Sequence, residues 1–373
     1  MTKYKFDEIA INSTQKKKPT EEDKVYYIGL EHIDPGCFDV VRWGSDVAPT
    51  GDKLLMQKGD VLFGKRRAYQ RKVAIAPFDG IFSAHGMVLR PNLKVIDANY
   101  FPFFISSDKF METAVRISVG GLSPTINWKD LARQEFELPS LDEQKVLADK
   151  LWAAYRLKEA YKKLLVATDE MVKSQFIEMF GDPMTNTKAW GEFGYIGNYT
   201  QIVLGSTPNS KNSSYWNGEI KWITPAEMTE ESYYIYDTER HLTEEGLKAA
   251  NLTLLPCRSV LFSTRAPIGK VGLVGSPMYC NQGFKNFVCG DQLNPVYLYY
   301  SLIFKREYLV SLGTGTTFKE LSKKAVENLK IAVPPLILQN KFEEIYQQAD
   351  KSKFELRKSI DAIDKVIRSL ING

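Results

Sequence analysis

The sequence predicts an α+β protein built from two similar domains of mixed strands and short helices, separated by two long antiparallel helices that form a coiled-coil spacer with pseudo-twofold symmetry. Two observations lead to this prediction. Landmarks of the first half recur in the second half in the same order, and a long segment with an unbroken helical pattern follows each half. The predicted boundaries are a first domain at 1–140, a central helix at 141–180, a second domain at 181–337 and a C-terminal helix at 338–373.

The duplication is visible as an almost constant offset between matching segments. The matches are Tyr27-Ile28 with Trp222-Ile223 (222 − 27 = 195), Val61-Leu62-Phe63 with Val260-Leu261-Phe262 (260 − 61 = 199), Gly86 with Gly283 (283 − 86 = 197), and Leu138-Pro139-Ser140-Leu141 with Val333-Pro334-Pro335-Leu336 (333 − 138 = 195). A few residues of loop insertion explain the drift. A unit this long is domain-sized, whereas solenoid repeats have periods of about 20–50 residues.

The sequence pattern of the first half is typical of short strands connected by turns. Segments 61–63 and 73–76 are apolar, and turn residues follow at 77–80 and 90–92. Such runs bounded by proline, glycine and asparagine are typical of buried strands. Segment 100–119 has helical character. We therefore expect a mixed domain that ends near residue 140.

Two segments carry the periodicity of long helices. Between 141 and 180, apolar or small residues recur every three or four positions and neither proline nor glycine occurs, until Gly181-Asp182-Pro183 provides a helix stop. The C-terminal segment repeats this pattern from Phe342 to Leu370. We expect the two helices to bury their stripes against each other in antiparallel fashion. The alternative is that each helix covers only its own domain.

Composition sets bounds on location and chemistry. The 373 residues have a net charge of +4, which permits nucleic acid binding without requiring it. We see no signal peptide and no apolar run of about 18 residues, so we expect a cytoplasmic protein with no membrane partner. Four cysteines without a C-x-x-C pair, together with three histidines, suggest no metal-ligand grouping.

The sequence lacks the motifs of an enzyme that acts on DNA. Asn294-Pro295-Val296-Tyr297 is a poor match to the Asn/Asp-Pro-Pro-Tyr/Phe motif expected of a base methyltransferase, and no glycine-rich strand-to-helix turn precedes it. The Gly315 region has no lysine in the phosphate-loop position. Neighbouring carboxylates such as Glu343-Glu344 lie within the long helices, where we expect a solvated face. We therefore predict no catalytic residues and no cofactor in this chain.

Several motifs in order give the chain a resemblance to a known family. They are the Gly-Ser-Thr-Pro to Tyr-Trp-Asn-Gly stretch at 205–218, Arg265-Ala266-Pro267-Ile268-Gly269, Asn281-Gln282-Gly283, Gly-Thr-Gly-Thr-Thr-Phe at 313–318, and Pro334-Pro335-Leu336 followed by Gln339. Together they resemble the DNA specificity subunit of type I restriction-modification systems, over essentially the whole chain. The first half departs from the pattern, because nothing near Asn12-Ser13-Thr14 reproduces the Tyr-Trp-Asn-Gly element.

The resemblance implies a non-catalytic function. In this family two target-recognition domains each recognise one half of a bipartite double-stranded DNA target, and the helices set the spacer between the halves. Two methyltransferase (modification) subunits dock on the helices and adjacent loops, bind S-adenosylmethionine and modify one adenine in each half. A restriction/translocase subunit can join them. Those chemistries are expected in the partners.

A basic loop of the first half is the leading candidate for DNA contact. It follows one predicted strand and precedes another, and it contains no acid. Arginine pairs with guanine and glutamine with adenine, so Arg66, Arg67 and Gln70 are the candidate base readers. The full set in this loop is Lys65, Arg66, Arg67, Tyr69, Gln70, Arg71 and Lys72. An ordinary solvated loop is the alternative.

The second half offers a weaker set of candidates. A polar loop suits phosphate and base contacts, although such a run is more often only a loop. His85 and Gln282 each directly precede a glycine, and each could face the groove or support a turn. Arg265 could instead anchor its own loop. The candidates outside the first basic loop are His85, Thr207, Asn209, Ser210, Lys211, Arg265, Lys270, Gln282 and Lys285.

Two rival functions remain open at the level of sequence. One is a stand-alone DNA methyltransferase or nuclease, which binding of S-adenosylmethionine by the pure chain would reveal. The other is a twin-domain protein–protein interaction scaffold. DNA binding should weaken steeply as salt rises, whereas a hydrophobic protein interface should not.

Overall fold

A computed structural model describes residues 1–229, 233–265, 267–314 and 319–372. The chain forms two compact units. Unit 1 contains Met1–Lys163 and Leu356–Gly373, and unit 2 contains Leu164–Glu355. Each unit therefore includes one part of each long helix. No helix among the described residues is both long enough and apolar enough to cross a membrane.

Unit 1 contains ten strands, four short helices and the first part of a long helix. The strands are β1 (Thr2–Lys5), β2 (Ala10–Ser13), β3 (Lys16–Lys17), β4 (Tyr27–Ile28), β5 (Lys53–Met56), β6 (Val61–Phe63), β7 (Val73–Ile75), β8 (Gly80–Phe82), β9 (Met87–Pro91) and β10 (Glu135–Leu138). The helices are α1 (Phe6–Ile9), α2 (Phe101–Ser106), α3 (Asp108–Arg116), α4 (Trp128–Ala132) and the long α5 (Leu141–Phe180). The strands form sheets of order β2-β9-β6-β7 and β3-β5-β8-β4, and β1 pairs with β10.

Unit 2 repeats this plan with differences in both larger sheets. The strands are β11 (Gly194–Tyr195), β12 (Thr200–Leu204), β13 (Trp216–Ile223), β14 (Tyr234–Ile235), β15 (Arg240–Leu242), β16 (Val260–Phe262), β17 (Val271–Val274), β18 (Tyr279–Cys280), β19 (Lys285–Cys289) and β20 (Lys330–Ile331). The helices are α6 (Glu244–Ala250), α7 (Pro295–Phe304), α8 (Arg306–Ser311), α9 (Lys323–Glu327) and the long α10 (Leu336–Asn372). The sheets have order β12-β19-β16-β17-β14 and β15-β13-β18, and β11 pairs with β20.

The strand registers confirm the duplication that the sequence predicts. Ile28 lies beside Phe82 in a parallel pair, and Ile223 lies beside Cys280 in the equivalent parallel pair. The antiparallel hairpin β6–β7 likewise corresponds to β16–β17. The copies differ in the second sheet, where unit 1 has the β3–β5 pair and unit 2 has a longer β13 paired with β15. We call the strands that correspond in the two units the shared frame. The units differ in the strands and loops attached to this frame.

The long helices pack against each other in antiparallel fashion, as the sequence predicts. In unit 1, Lys158 of α5 donates to Asp364 of α10 at 3.0 Å. In unit 2, Lys353 of α10 donates to Asp169 of α5 at 2.7 Å. A step of 11 residues forward on α5 (169 − 158) therefore matches a step of 11 back on α10 (364 − 353). The two pairs are also repeat mates, since 353 − 158 and 364 − 169 both equal 195.

A glutamine at the start of each long helix fastens it to its own domain. The Gln144 side chain accepts the Asp97 N–H at 2.8 Å and donates to the Val95 and Pro139 carbonyls. Gln339 makes the same three bonds, with the Asn294 N–H and with the carbonyls of Gln292 and Pro334. Both side chains are fully buried. Buried polar groups require such partners, which explains why glutamine recurs at this place in both halves.

The apolar stripe of α5 is only partly the one that the sequence indicates, which consists of Leu147, Leu151, Ala154, Tyr161, Leu164, Thr168, Val172, Phe176 and Met179. Leu151, Val172 and Phe176 are buried, but Leu164 is 49% exposed. The side chain of Lys158, which lies in neither predicted stripe, is instead buried at the helix contact. Long lysine stems cover apolar surface while their charged heads meet a carboxylate, so the contact in the middle of the helices is more polar than the spacing suggests.

Candidate nucleic-acid interface

The basic loop of unit 1 is a tightly constrained hairpin connection between β6 and β7. The Gly64 N–H donates to the Lys72 carbonyl at 2.9 Å and closes the loop. Arg67 and Arg71 flank a short 3-10 turn and both adopt positive φ, at 56° and 52°. The turn residue Ala68 is buried. The backbone therefore holds the projecting side chains in fixed directions, as sequence-specific contact requires.

Arg66 and His85 lie together on this loop. The Arg66 Nη1 atom is 3.3 Å from His85 Nε2, and the Arg66 N–H donates to the His85 carbonyl. Partial burial lowers the pKa of His85, and the nearby charges of Arg66, Lys65 and Lys53 lower it further. Both effects favour the neutral imidazole, in which one ring nitrogen can accept a hydrogen bond. Both residues were predicted separately, and the structure brings them into one site.

The remaining outward side chains of the loop are Arg67, Tyr69 and Gln70. Arg67 bonds to the Ser123 hydroxyl through Nε at 3.2 Å and Nη2 at 3.0 Å. Tyr69 is 55% exposed, and Gln70 is half-buried. Ser123 was not foreseen, because its segment is distant in sequence. Lys65 is half-buried, and this desolvation, with a contribution from Lys16, lowers its pKa.

A cavity of about 410 Å³ adjoins His85 in unit 1. Its lining includes Tyr27, Lys53, Ser83 and His85, together with the loop at 47–50. The concave surface is thus lined by one cation and several hydrogen-bonding groups. Lys53 was not among the predicted contacts, since no local motif marks it.

Two predicted DNA contacts of the basic loop have internal partners instead. Arg71 donates to the Ser106 carbonyl at 2.9 Å and to Asp108 at 2.6 Å. Lys72 donates to the Leu30 carbonyl at 2.6 Å. These bonds fasten the loop to its own domain. We leave both residues out of the proposed interface.

Lys270 and Lys285 of unit 2 are also engaged inside their domain. Lys270 Nζ donates to the carbonyls of Pro225 at 2.9 Å and Met228 at 2.7 Å. The Lys285 side chain is only 9% exposed and meets the Thr264 hydroxyl and Glu320. Lys270 corresponds to Lys72 at an offset of 198. Their carbonyl partners also correspond, since Pro225 matches Leu30 at an offset of 195. We therefore assign both lysines to the frame.

Arg265 is paired with a carboxylate. Its Nε atom donates to Glu320 at 3.0 Å, and Lys285 shares the same carboxylate. Burial raises the pKa of Glu320, but hydrogen bonds from Lys285 and Arg265 outweigh burial and leave it below the usual value. This is the anchoring alternative that the sequence left open for Arg265.

The polar loop of unit 2 rests on two buried tryptophans. Trp222 Nε1 donates to the Ser206 carbonyl at 3.0 Å, and Trp216 Nε1 donates to the Asn209 carbonyl at 3.3 Å. Gly205 is required at the loop entrance because a Cβ there would overlap the Asn281 carbonyl. The predicted contacts Thr207, Asn209, Ser210 and Lys211 are all exposed, and Thr207 bonds to Gln282.

Asn294 and Glu343 belong to the two segments that were weighed as possible enzyme motifs, and both side chains have structural partners. Asn294 caps helix α7 by accepting the Val296 N–H at 2.8 Å. The prediction that Glu343 lies on a solvated face is wrong, since its side chain is 10% exposed and paired with Arg258 at 2.5 Å. Glu344 is exposed, as expected. Glu343 differs from its neighbour Glu344 because its partner Arg258 comes from a distant part of the chain.

One cluster of potential metal-binding side chains occurs among the described residues, which the cysteine and histidine spacing did not indicate. The ligand atoms of Cys37, Asp39 and Glu159 lie within 4.8 Å of one another. The Tyr155 hydroxyl accepts the Phe38 N–H at 2.8 Å and lies 3.2 Å from Asp39. These bonds fasten the 37–39 segment to helix α5.

Parts of two motifs, Ala266 and 315–318, lie outside the described residues.

Comparison with known proteins defines the class of this protein. The profile of the type I restriction modification DNA specificity domain matches residues 3–165 and again 192–363. These matches cover more than half of the chain, and the chain belongs to this family. The predictions of a type I specificity subunit with two related domains are thereby confirmed.

Curated proteins similar to this chain are named type I specificity subunits. The putative MjaX specificity subunit of Methanocaldococcus jannaschii is 25% identical over 380 residues, which is 94% of this chain and 87% of that protein. The MjaIX specificity subunit of the same organism is 34% identical over 176 residues, which is 46% of this chain and 41% of that protein. The chain thus matches less than half the length of MjaIX. Because these relatives are named specificity subunits, they agree with the prediction of a non-catalytic chain and do not favour the rival enzyme or scaffold.

Solved structures share the fold. A chain from a study of complex assembly and conformational transition of a type I R-M system aligns with a TM-score of 0.61 and 18% identity, covering 99% of this chain and 96% of that one. The S subunit of the type I system from M. genitalium aligns with a TM-score of 0.58 and 14% identity, covering 99% and 94%.

Proposed function

We propose that this chain is the DNA recognition subunit of a type I restriction-modification complex and that each unit recognises one half of a bipartite double-stranded target. The observation that carries this proposal is the divergence of loops on a shared frame. Arg66 and Arg265 lie at equivalent places, but the surrounding loops differ in length, sequence and partners. Two domains that recognise different half-sites need a common frame and different DNA-contacting loops.

The electrostatics of unit 1 favour DNA as the ligand. Arg66, Arg67 and Lys65 project from one rigid loop, with Lys53 close enough to His85 to influence its pKa. None of these four cations has a carboxylate partner within 4.0 Å among the described residues. Lys53 donates to the Thr50 and Gly51 carbonyls, so it is less free than the other three. Cations that no carboxylate neutralises remain available for phosphates, and the planar arginines also suit base edges. In unit 2 the exposed loop with Asn209, Ser210 and Lys211 takes this role.

We further propose that the helix pair sets the gap between the half-sites and supports the partner subunits. The antiparallel ion pairs Lys158–Asp364 and Lys353–Asp169 fix the register of the helices. Apolar side chains remain exposed on α5, including Leu164 and Met171 at 49% and 47%. Such exposed apolar side chains suit a protein partner. Two methyltransferase (modification) subunits would dock there, bind S-adenosylmethionine and methylate, and a restriction/translocase subunit would cleave. With genomic DNA as the target, the place of action would be cytoplasmic.

The proposal is tested by expressing the chain with its modification subunits in cells and sequencing the methylated adenines. The expected result is one asymmetric motif with two specified halves and a gap of fixed length. Exchanging the loop 65–72 for the loop 264–270 should change one half only. An unchanged motif after the exchange, or a motif with a single continuous half, would contradict the assignment of one half-site to each unit.

A further inference from the structure

An arginine that no motif indicates lies stacked on the tryptophan platform of unit 2. The Arg240 guanidinium carbon is 3.6 Å from the centroid of the Trp216 ring and 5.2 Å from that of Trp222. The two indoles meet edge to face at 5.1 Å and are 9% and 1% exposed. Arg240 itself is exposed. A flexible surface side chain thus lies over a rigid part of the core, an arrangement that suits a planar guanidinium.

The guanidinium of Arg240 lies against the two indoles. Within the described parts of the chain, no carboxylate lies within 4.0 Å of its guanidinium, and its side chain donates no hydrogen bond. Alternation along β15 directs the neighbouring His241 to the other face, where it meets Asp237 at 3.2 Å. The N–H groups of Arg240 therefore remain available to an acceptor outside the protein.

The same platform supports the polar loop of the candidate interface. Trp216 binds the Asn209 carbonyl and Trp222 binds the Ser206 carbonyl, so Arg240 and the exposed Asn209 share one support. Unit 1 has no equivalent, because its β4 is only the two-residue strand Tyr27–Ile28. Arg240 thus belongs to the part of unit 2 that differs between the copies, where half-site specificity is expected.

We propose that Arg240 is a specificity-determining residue that contacts a guanine in the half-site of unit 2. The inference rests on the proposed function of DNA recognition and goes beyond it by naming the residue and the base. Contact with the two indoles restricts the guanidinium, and its fork of donors matches the O6 and N7 atoms of guanine. A phosphate contact would need only the charge.

The experiment uses the full chain with its modification subunits and compares the methylated motifs of the wild type, Arg240→Ala and Arg240→Lys. One guanine of a single half-site should lose its preference by about 10-fold to 100-fold in both variants, the range for one bidentate contact. Lys248→Ala, which removes one exposed cation from α6 in the same unit, is the control and should leave the motif unchanged. Thermal unfolding of each complex confirms that the variants fold.

The outcomes separate this inference from the proposed function. Absence of a bipartite motif in the wild type would reject the proposed function. A bipartite wild-type motif that Arg240→Ala leaves unchanged would reject the inference alone. Full retention of the guanine preference in Arg240→Lys would show that the guanidinium fork is not required, and it would overturn the inference. An equal loss of methylation at all sites, with every base preference retained, would show a phosphate contact and would overturn it as well.

Discussion

Arg66 and Arg265 occupy the same place in the two units, but only Arg265 is paired with a carboxylate. Each forms an isolated bridge with the segment that precedes a short helix, Arg66 with Thr125 and Arg265 with Glu320. Threonine leaves Arg66 with His85 as its side-chain neighbour, whereas glutamate binds Arg265 at 3.0 Å. One substitution at the partner position therefore separates a cation available for DNA from one committed to its own loop.

This difference predicts unequal effects of two alanine variants. Arg66→Ala should relax one base position of the unit 1 half-site, with a loss of discrimination of about 1–3 kcal/mol. Arg265→Ala should affect its half-site less, since its charge is already satisfied. The measurement is the methylated motif and the affinity of each complex for duplexes that carry it. Equal effects of the two substitutions would contradict the asymmetry.

Arg71→Ala is the matched control for the basic loop. Its charge is used on Asp108 and the Ser106 carbonyl, so its removal should lower the melting temperature of the chain without changing the motif. A changed base preference in this variant would return Arg71 to the interface.

Lys270 is predicted to stabilise the frame rather than bind DNA. Lys270→Met keeps the aliphatic stem but removes the two bonds to the Pro225 and Met228 carbonyls. The free energy of unfolding should fall by about 1–3 kcal/mol, while the specified bases stay the same. Lys72→Met should behave alike in unit 1, because it bonds the equivalent Leu30 carbonyl. Urea titration and motif sequencing check the pair, and a reduced salt dependence of DNA binding in either variant would contradict a purely internal role.

These lysines show what the sequence predicts well and what it does not. The frame was predictable because matching landmarks at offsets of 195 to 199 record the buried positions of both copies, and periodicity marks the long helices. The partners of Lys72, Lys270 and Arg71 were not predictable, since each comes from a segment distant in the chain. The sequence did contain one signal. Lys72 and Lys270 match at an offset of 198 although the surrounding loops differ, which indicates lysines of the shared frame rather than lysines that contact DNA.

Glu343 makes the stability of unit 2 depend on pH. Burial raises the pKa of this carboxyl, but bonds from Arg258 and Asn294 outweigh it, so the pKa lies below the usual 4.5. A carboxylate with a depressed pKa stabilises the fold above its unfolded value and loses that contribution as pH falls through the folded value. Glu343→Gln should lower the free energy of unfolding by about 1–3 kcal/mol at pH 7, and this difference should shrink below pH 4.5.

Urea unfolding of the wild type and Glu343→Gln at several pH values measures this difference. The exposed neighbour provides the control, since Glu344→Gln should change the free energy of unfolding little. A difference for Glu343 that stays constant down to pH 3 would show that the side chain contributes through packing and not through its charge.

The antiparallel register predicts how the gap between half-sites responds to helix length. Lys158 and Lys353 each meet an aspartate of the opposite helix, so a change in one helix alone shifts these pairs out of register. Seven residues inserted after Lys163 and seven after Lys358 keep both pairs and add about 10 Å of helix at about 1.5 Å per residue. At about 3.4 Å per base pair, the preferred gap should lengthen by about three base pairs.

A heptad turns a helix through nearly two complete revolutions, so the faces of both helices are preserved to within about 20°. The bases of each half-site should therefore remain the same while the gap changes, as sequencing of methylated adenines would show. Insertion into α5 alone is the control, and it should reduce methylation at every site because one of the two ion pairs is lost. An unchanged gap after the double insertion would mean that the long helices do not set the distance between the half-sites.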